Sequence, residues 1–208
     1  MINELMILLT AMHVTTVHLT FDDGPNPTYT PQVIKILHDA DVDANFFLVG
    51  ENVKKYPELV NELIREGHDI GAHSMTHKQL TKIPFAQAKK EIEESMALVS
   101  SFRKTNLFRF PYGSFNDKLL KVLEENRWEN VYWGVDTTDW KYKDADEIYA
   151  KFKIRLAREP DGSIVLMHDV HPQSVKALKM ILKYLKENHI TVEKLKFAPK
   201  TVEKSYDL

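Results

Sequence analysis

The feature that most constrains this chain is a repeated order of short apolar runs, turns and amphipathic segments. Residues 16–21 read Thr-Val-His-Leu-Thr-Phe and stop at Asp-Asp-Gly-Pro, as a β-branched strand running into a turn does. Residues 31–40 then carry Val33, Ile34 and Leu37 at helical spacing. The order recurs to the far end. Strands are predicted over 44–49, 68–72, 107–110, 131–135, 163–167 and 195–197. Helices are predicted over 57–66, 84–102, 116–125, 145–157 and 175–187, with Gly67 as a stop signal and Pro84 in a first turn. About seven strands separated by helices imply parallel strands joined by crossover helices. A closed barrel and an open doubly wound sheet both satisfy that order. In 208 residues this amounts to one domain.

Parallel α/β folds gather their chemistry at the C-terminal ends of strands. Those ends are unusually polar here. Asp22 and Asp23 follow the first strand, and His73 and His77 the third. Arg109, Pro111 and Tyr112 close the fourth, Asp136, Asp139 and Trp140 the fifth, and His168 and Asp169 the sixth. Composition narrows what they can do. The chain has no cysteine, which excludes disulfides, thiolate metal sites and a cysteine nucleophile. A formal net charge of -2 gives no basic surface for a phosphate backbone, so no nucleic-acid partner is expected.

His73 and His77 stand four residues apart. On a helix they would share a face and reach one ion. The zinc-protease pattern, with Glu directly after the first His, is absent because Ser74 stands there. A base must come from elsewhere, and the two aspartates supply it. Adjacent carboxylates at a buried strand end repel and need cations. One can join the two histidines in a three-ligand site with open positions for water, while the other accepts a proton. The turn at Gly24-Pro25 relaxes the alternation that would point neighbouring side chains apart. Arg109 can pair with the spare aspartate and keep it ionised. His168 at the rim suits a general acid, with Asp139 to orient it and raise its pKa. Trp133, Trp140 and Tyr112 are candidate groove-wall residues for sugar stacking.

Together these segments resemble the polysaccharide deacetylase family, the NodB-homology domain of carbohydrate esterase family 4. The pieces occur in family order: Thr-Phe-Asp-Asp-Gly-Pro (20–25), His-Ser-Met-Thr-His (73–77), Arg-Phe-Pro-Tyr-Gly (109–113), Asp-Thr-Thr-Asp-Trp (136–140) and Leu-Met-His-Asp (166–169). The resemblance spans residues 16–197. It implies a distorted (β/α) barrel and a hydrolase that removes acetyl groups from an acetylated polysaccharide or oligosaccharide. It implies a divalent metal, zinc first and cobalt or another ion second, on Asp23, His73 and His77. Asp22 would be the base, positioned by Arg109, and His168 the acid, tuned by Asp139. The Pro111-Tyr112 turn would meet the oxyanion through the Tyr112 N–H, and Trp140 and Leu166 would line the acetyl pocket and groove. N-acetylglucosamine glycans such as peptidoglycan or chitin oligomers are the expected substrates, with acetylxylan as the alternative.

The expected domain is residues 16–208, acting as a monomer. Residues 1–15 match none of the motifs. Their apolar run at 6–12 reads as an extra packed element or a signal-peptide remnant without a basic flank. No later segment approaches the ~20 apolar residues of a membrane span. An extracytoplasmic location follows from the substrate class. Two competing readings remain. A non-haem iron oxygenase also uses two histidines and a carboxylate, but would leave Asp22, Arg109 and His168 without purpose. A non-catalytic carbohydrate-binding homologue would not need Asp22 and His168.

Overall fold

A computed structural model describes residues 14–195. It is a distorted (β/α) barrel. The strands are β1 (Thr16–Asp22), β2 (Asn45–Leu48), β3 (Asp69–Ala72), β4 (Leu107–Phe108), β5 (Glu129–Asn130), β6 (Val135–Asp136), β7 (Ser163–His168) and β8 (Thr191–Val192). Seven of them follow one another around the curve in the order β5-β4-β3-β2-β1-β7-β6, and β8 pairs with the start of β1. Every pairing is parallel. The helices between strands are α1 (Thr30–Asp39), α2 (Gly50–Lys55), α3 (Pro57–Arg65), α4 (Phe85–Phe102), α5 (Asp117–Glu125), α6 (Ala145–Leu156) and α7 (Pro172–Glu187).

Local chemistry explains the helix starts. Pro occupies the first turn of α1, α3 and α7, where its missing N–H costs nothing. Asn116 caps α5 by accepting from the Leu119 N–H, and Asp144 caps α6 by accepting from the N–H groups of Asp146 and Glu147. Each such cap contributes about 1 kcal/mol.

Strand alternation builds two cores. Val17, Leu19 and Phe21 of β1 are fully buried against the helix layer, with Val33, Leu37, Val165, Met167, Leu178 and Ile181. The opposite face of the sheet holds a smaller cluster of Phe47, Leu107 and Val131, with Ile164 and Leu195 beside it. That inner face also carries Thr20 and Asp22, which fixes where polar groups can stand.

The structure corrects the sequence reading in three places. Of the strand expected over 131–135 only Val135 is in one, β6, and β5 lies just before the span at Glu129–Asn130. β5 pairs with β4 and β6 pairs with β7, while residues 131–134 cross between the two edges of the open barrel. The Val131 N–H bonds the Phe108 carbonyl and the Gly134 N–H bonds that of Ile164. The last strand lies at Thr191–Val192 rather than at 195–197. Leu195 instead exchanges hydrogen bonds with the Asn45 side chain, and residues 196 and 197 lie outside the described residues. Helix α2 has no counterpart in the sequence reading, because six residues are too few to show a period. The apolar run at 6–12 also lies outside the described residues.

Candidate active site

The strand ends converge on one pocket of about 420 Å³, lined by Asp22, Asp23, His73, His77, Tyr112, Trp133, Asp136, Trp140, Leu166 and His168. Asp22 ends β1 and is buried. Its Oδ1 accepts from Arg109 Nη1 at 2.7 Å. Arg109 is wholly buried at the end of β4, donating also to Thr20 Oγ1 (2.8 Å) and to the Val131 carbonyl (3.0 Å). Its guanidinium lies 4.1 Å from the centre of the Phe47 ring. The cation therefore stands behind the carboxylate and leaves the pocket face of Asp22 open. Removing one partner of so deep a pair would cost on the order of 3–5 kcal/mol, which ties this geometry to the fold.

Asp23 turns the other way. It adopts φ 75, a left-handed conformation that Asp tolerates better than most residues. This breaks strand alternation and brings both aspartates to the pocket. Asn52 Nδ2 donates to the Asp23 carbonyl (2.8 Å) and the Val49 N–H to that of Gly24 (3.0 Å), holding the turn. A Cβ on Gly24 would land on the Asp169 carboxylate.

His73 and His77 do not lie on a helix, so the basis of that expectation is corrected while the pairing stands. They occupy a loop with left-handed Ser74 (φ 60) and His77 (φ 56). The N–H groups of Gly50 and Glu51 at the start of α2 grip the loop carbonyls of Ser74 and Met75. Glu91 of α4 takes both the N–H and the hydroxyl of Thr76, at 2.8 and 2.7 Å.

Asp23 Oδ1 then lies 3.1 Å from His77 Nε2 and 3.5 Å from His73 Nε2. Tetrahedral zinc with bonds near 2.0–2.1 Å separates its ligand atoms by about 3.3 Å. This oxygen is buried with no well-directed hydrogen bond, as a metal ligand would be. His73 Nδ1 donates to the Arg109 carbonyl at 2.8 Å, which leaves Nε2 as the free lone pair. Burial lowers the His73 pKa against the pull of Asp22 and Asp23, so the ring stays neutral, as ligation requires. Burial opposes the Asp23 charge, but the close approach of His77 and the other imidazoles around it hold the carboxyl well below its usual range. The three residues fit a divalent ion; they are the one such group among the described residues.

The other wall carries His168 at the end of β7. Its Nδ1 donates to Asp139 Oδ1 at 2.7 Å, and its backbone N–H to Oδ2 at 2.8 Å. Asp139 is wholly buried and also accepts from Ser174 Oγ. Gln173 Nε2 donates to the Asp139 carbonyl. Burial alone would lower the His168 pKa. The bond and charge of Asp139, with Asp23 and Asp22 farther off, outweigh it and push the value up to about 9. His168 is thus a protonated imidazole at neutral pH.

Tyr112 is 65% exposed at φ 61 within the 3-10 turn Pro111–Gly113. Its ring centre is 4.8 Å from that of His77. Pro111 is buried and starts the turn without lining the pocket. Leu166 and Trp140 both line it, the first buried and the second 52% exposed.

Several residues around the site escape sequence reasoning. Glu91 does carry a signal, being a carboxylate on the buried stripe of α4 beside Ala88, Ile92, Ser95 and Met96. Ser174, Gln173 and Thr30 carry none. Asp169 does not reach the pocket. It is buried behind Gly24, accepts from Thr30 Oγ1, and burial pushes its pKa up to about 7.

A parallel α/β barrel that gathers two histidines and a carboxylate, with a second carboxylate beside them, presents at its strand ends a cluster able to hold a divalent ion. The chain belongs to the polysaccharide deacetylase family, whose model matches residues 11–131. It is 39% identical over 184 residues to a peptidoglycan-N-acetylglucosamine deacetylase of Listeria monocytogenes, covering 85% of this chain and 38% of that protein. It is 36% identical over 160 residues to a chitooligosaccharide deacetylase of Bradyrhizobium sp. (strain ANU 289), covering 76% of this chain and 72% of the other. Its fold superposes on the crystal structure of the Bc1960 peptidoglycan N-acetylglucosamine deacetylase with a TM-score of 0.82. That match is 33% identical and covers 88% of this chain and 87% of the other. The chain thus spans less than half of the Listeria protein it matches.

Proposed function

We propose that this protein is a metal-dependent deacetylase that hydrolyses N-acetyl groups of N-acetylglucosamine-containing glycans, peptidoglycan or chitin oligomers, to acetate and a free amine. One observation carries the reading. The two adjacent carboxylates are held unequally: Asp22 Oδ1 is on Arg109 at 2.7 Å with its Oδ2 3.7 Å from His73 Nε2, whereas Asp23 Oδ1 lies 3.1 and 3.5 Å from the two histidines. That division leaves one carboxylate free for proton transfer beside a cluster suited to an ion. Neither the iron-oxygenase reading nor a binding module needs it.

Asp23, His73 and His77 would hold the ion, with zinc favoured by the two-nitrogen, one-oxygen donor set and cobalt or another divalent ion next. When bound, such an ion polarises the acetyl carbonyl and acidifies water beside it. Asp22 takes the proton from the attacking water as its oxygen bonds the acetyl carbon. Arg109 fixes the direction of the Asp22 carboxylate. The Tyr112 N–H donates to the developing oxyanion, a type of contact whose loss costs about 100–1,000-fold in rate. His168 gives its proton to the departing nitrogen as the carbon–nitrogen bond breaks. Leu166 and Trp140 bound the space for the acetyl methyl and the sugar.

We take residues 16–208 as the deacetylase domain, acting outside the cytoplasm as its cell-wall-directed relatives suggest. Among the described residues, no helix is long and apolar enough to cross a membrane. The test is acetate release from N-acetylglucosamine oligomers and from peptidoglycan, before and after chelation. Activity lost on chelation and restored by zinc or cobalt is expected. Full activity in metal-free protein would overturn the scheme, and preference for acetylxylan would reassign the substrate.

A further inference from the structure

We propose that Tyr132, braced edge-on by Phe115, forms a second sugar subsite, an aromatic ledge that stacks on the apolar face of a pyranose ring in the glycan chain beside the residue being deacetylated. This rests on the deacetylase reading of the pocket.

The ledge arises from the strand break. In a regular strand, residues 132 and 133 would point to opposite faces. Between β5 and β6 they do not. The Tyr132 and Trp133 rings stack at 4.3 Å with an interplanar angle of 11°. Trp133 lines the pocket, so Tyr132 extends that wall outward. Phe115 meets Tyr132 edge-on at 6.2 Å and leans on Phe110 at 5.5 Å. The Pro111–Gly113 turn locks the arrangement. Gly113 has φ 60, and a Cβ there would lie 2.8 Å from Trp133 and 2.9 Å from Tyr132. The ledge and the turn that carries Tyr112 are therefore fixed to each other.

Exposure argues against a packing role. Tyr132 is 49% and Phe115 38% exposed. Of the large hydrophobic residues exposed among the described residues, Phe85 and Ile154 stand away from the pocket, whereas Tyr112, Phe115, Tyr132 and Trp140 belong to its walls or their extension. Aromatic groups gathered at one mouth mark a binding surface. The adjoining edge is polar: Ser114 Oγ bonds Thr81 Oγ1 (2.7 Å) and Gln79 Nε2 (3.1 Å). A flat apolar face bordered by hydroxyl and amide groups matches a pyranose, which offers C–H groups on its face and hydroxyls around its rim.

The test uses the zinc-loaded full chain. KM and kcat are measured for acetate release from N-acetylchitopentaose and for hydrolysis of 4-nitrophenyl acetate, a probe too small to reach the ledge. Tyr132→Ala is expected to raise KM for the pentamer about 5- to 20-fold with a much smaller change in kcat. The ratio of pentamer to ester kcat/KM should fall about tenfold, and Tyr132→Phe, which keeps the ring, should restore it. An unchanged KM for the pentamer, or equal losses on both substrates, would overturn the ledge and leave the deacetylase reading standing. If the parent protein releases acetate from neither the pentamer nor peptidoglycan, the deacetylase reading fails. Calorimetric binding of the pentamer then decides the ledge, and affinity unaltered by Tyr132→Ala, or no binding by the parent, overturns it.

Discussion

The two walls of the pocket hold the same kind of ion pair with its members exchanged. On one wall Asp22 faces the pocket and the buried cation of Arg109 stands behind it at 2.7 Å. On the other, His168 faces the pocket and the buried carboxylate of Asp139 stands behind it, also at 2.7 Å. In both, further bonds anchor the group behind: Arg109 donates to Thr20 and the Val131 carbonyl, and Asp139 accepts from Ser174 and the His168 N–H. Which member meets the substrate decides the chemistry. A cation behind a carboxylate keeps an acceptor of protons, and a carboxylate behind an imidazole keeps a donor.

Exchange or removal of the facing groups should give the largest effects. Asp22→Asn keeps an acceptor for Arg109 but cannot take a proton. Its kcat should fall about 100–10,000-fold, with metal content unchanged, and a loss under about tenfold would place the base elsewhere. His168→Ala comes next, with a loss of about 100–1,000-fold on an N-acetyl substrate. The loss should be clearly smaller on an activated aryl acetate, whose leaving group needs no proton. Equal losses would remove its role as acid.

The groups behind should act through their partners. With its pKa raised to about 9, His168 is protonated through neutral pH and loses its proton as pH rises through that value. Activity should therefore decline above about pH 9. Asp139→Asn removes the charge that raises this pKa, so the basic limb of the profile should move to lower pH by at least about one unit. A limb that stays in place would belong to another group. Ser174→Ala should do least, because Asp139 keeps both bonds from His168. A cost of about 0.5–1.5 kcal/mol in unfolding free energy, with kcat within about threefold of wild type, is expected. A larger kinetic loss would show that Ser174 helps set the His168 proton.

The same contrast shows what is legible in the sequence. Strand ends are recognisable, so residues at their tips stand out: Asp22, Asp23, Arg109 and His168 each follow or close a β-branched or apolar run. The pairing of His73 with His77 follows from a helical spacing that the loop does not have. Left-handed Ser74 and His77, the α2 N-terminus and Glu91 bring them together instead. These are tertiary effects with no local pattern. Residues 131–135 look like a continuous strand because apolar and β-branched residues satisfy strand propensity whether or not a partner exists for each backbone group. Only the sheet shows that β5 and β6 join opposite edges of the open barrel, which is what stacks Tyr132 on Trp133. Ser174 and Thr30 look like ordinary helix-start residues, and only folding brings them to Asp139 and Asp169.

Anomalous diffraction at the zinc edge from zinc-loaded crystals tests the division of labour between the two aspartates most directly. One ion per chain is expected, about 2.0–2.2 Å from Asp23, His73 Nε2 and His77 Nε2, with the Asp22 carboxylate still on Arg109 and outside bonding distance. An ion bound by Asp22 in place of Asp23, or no ion at these three residues, would contradict it.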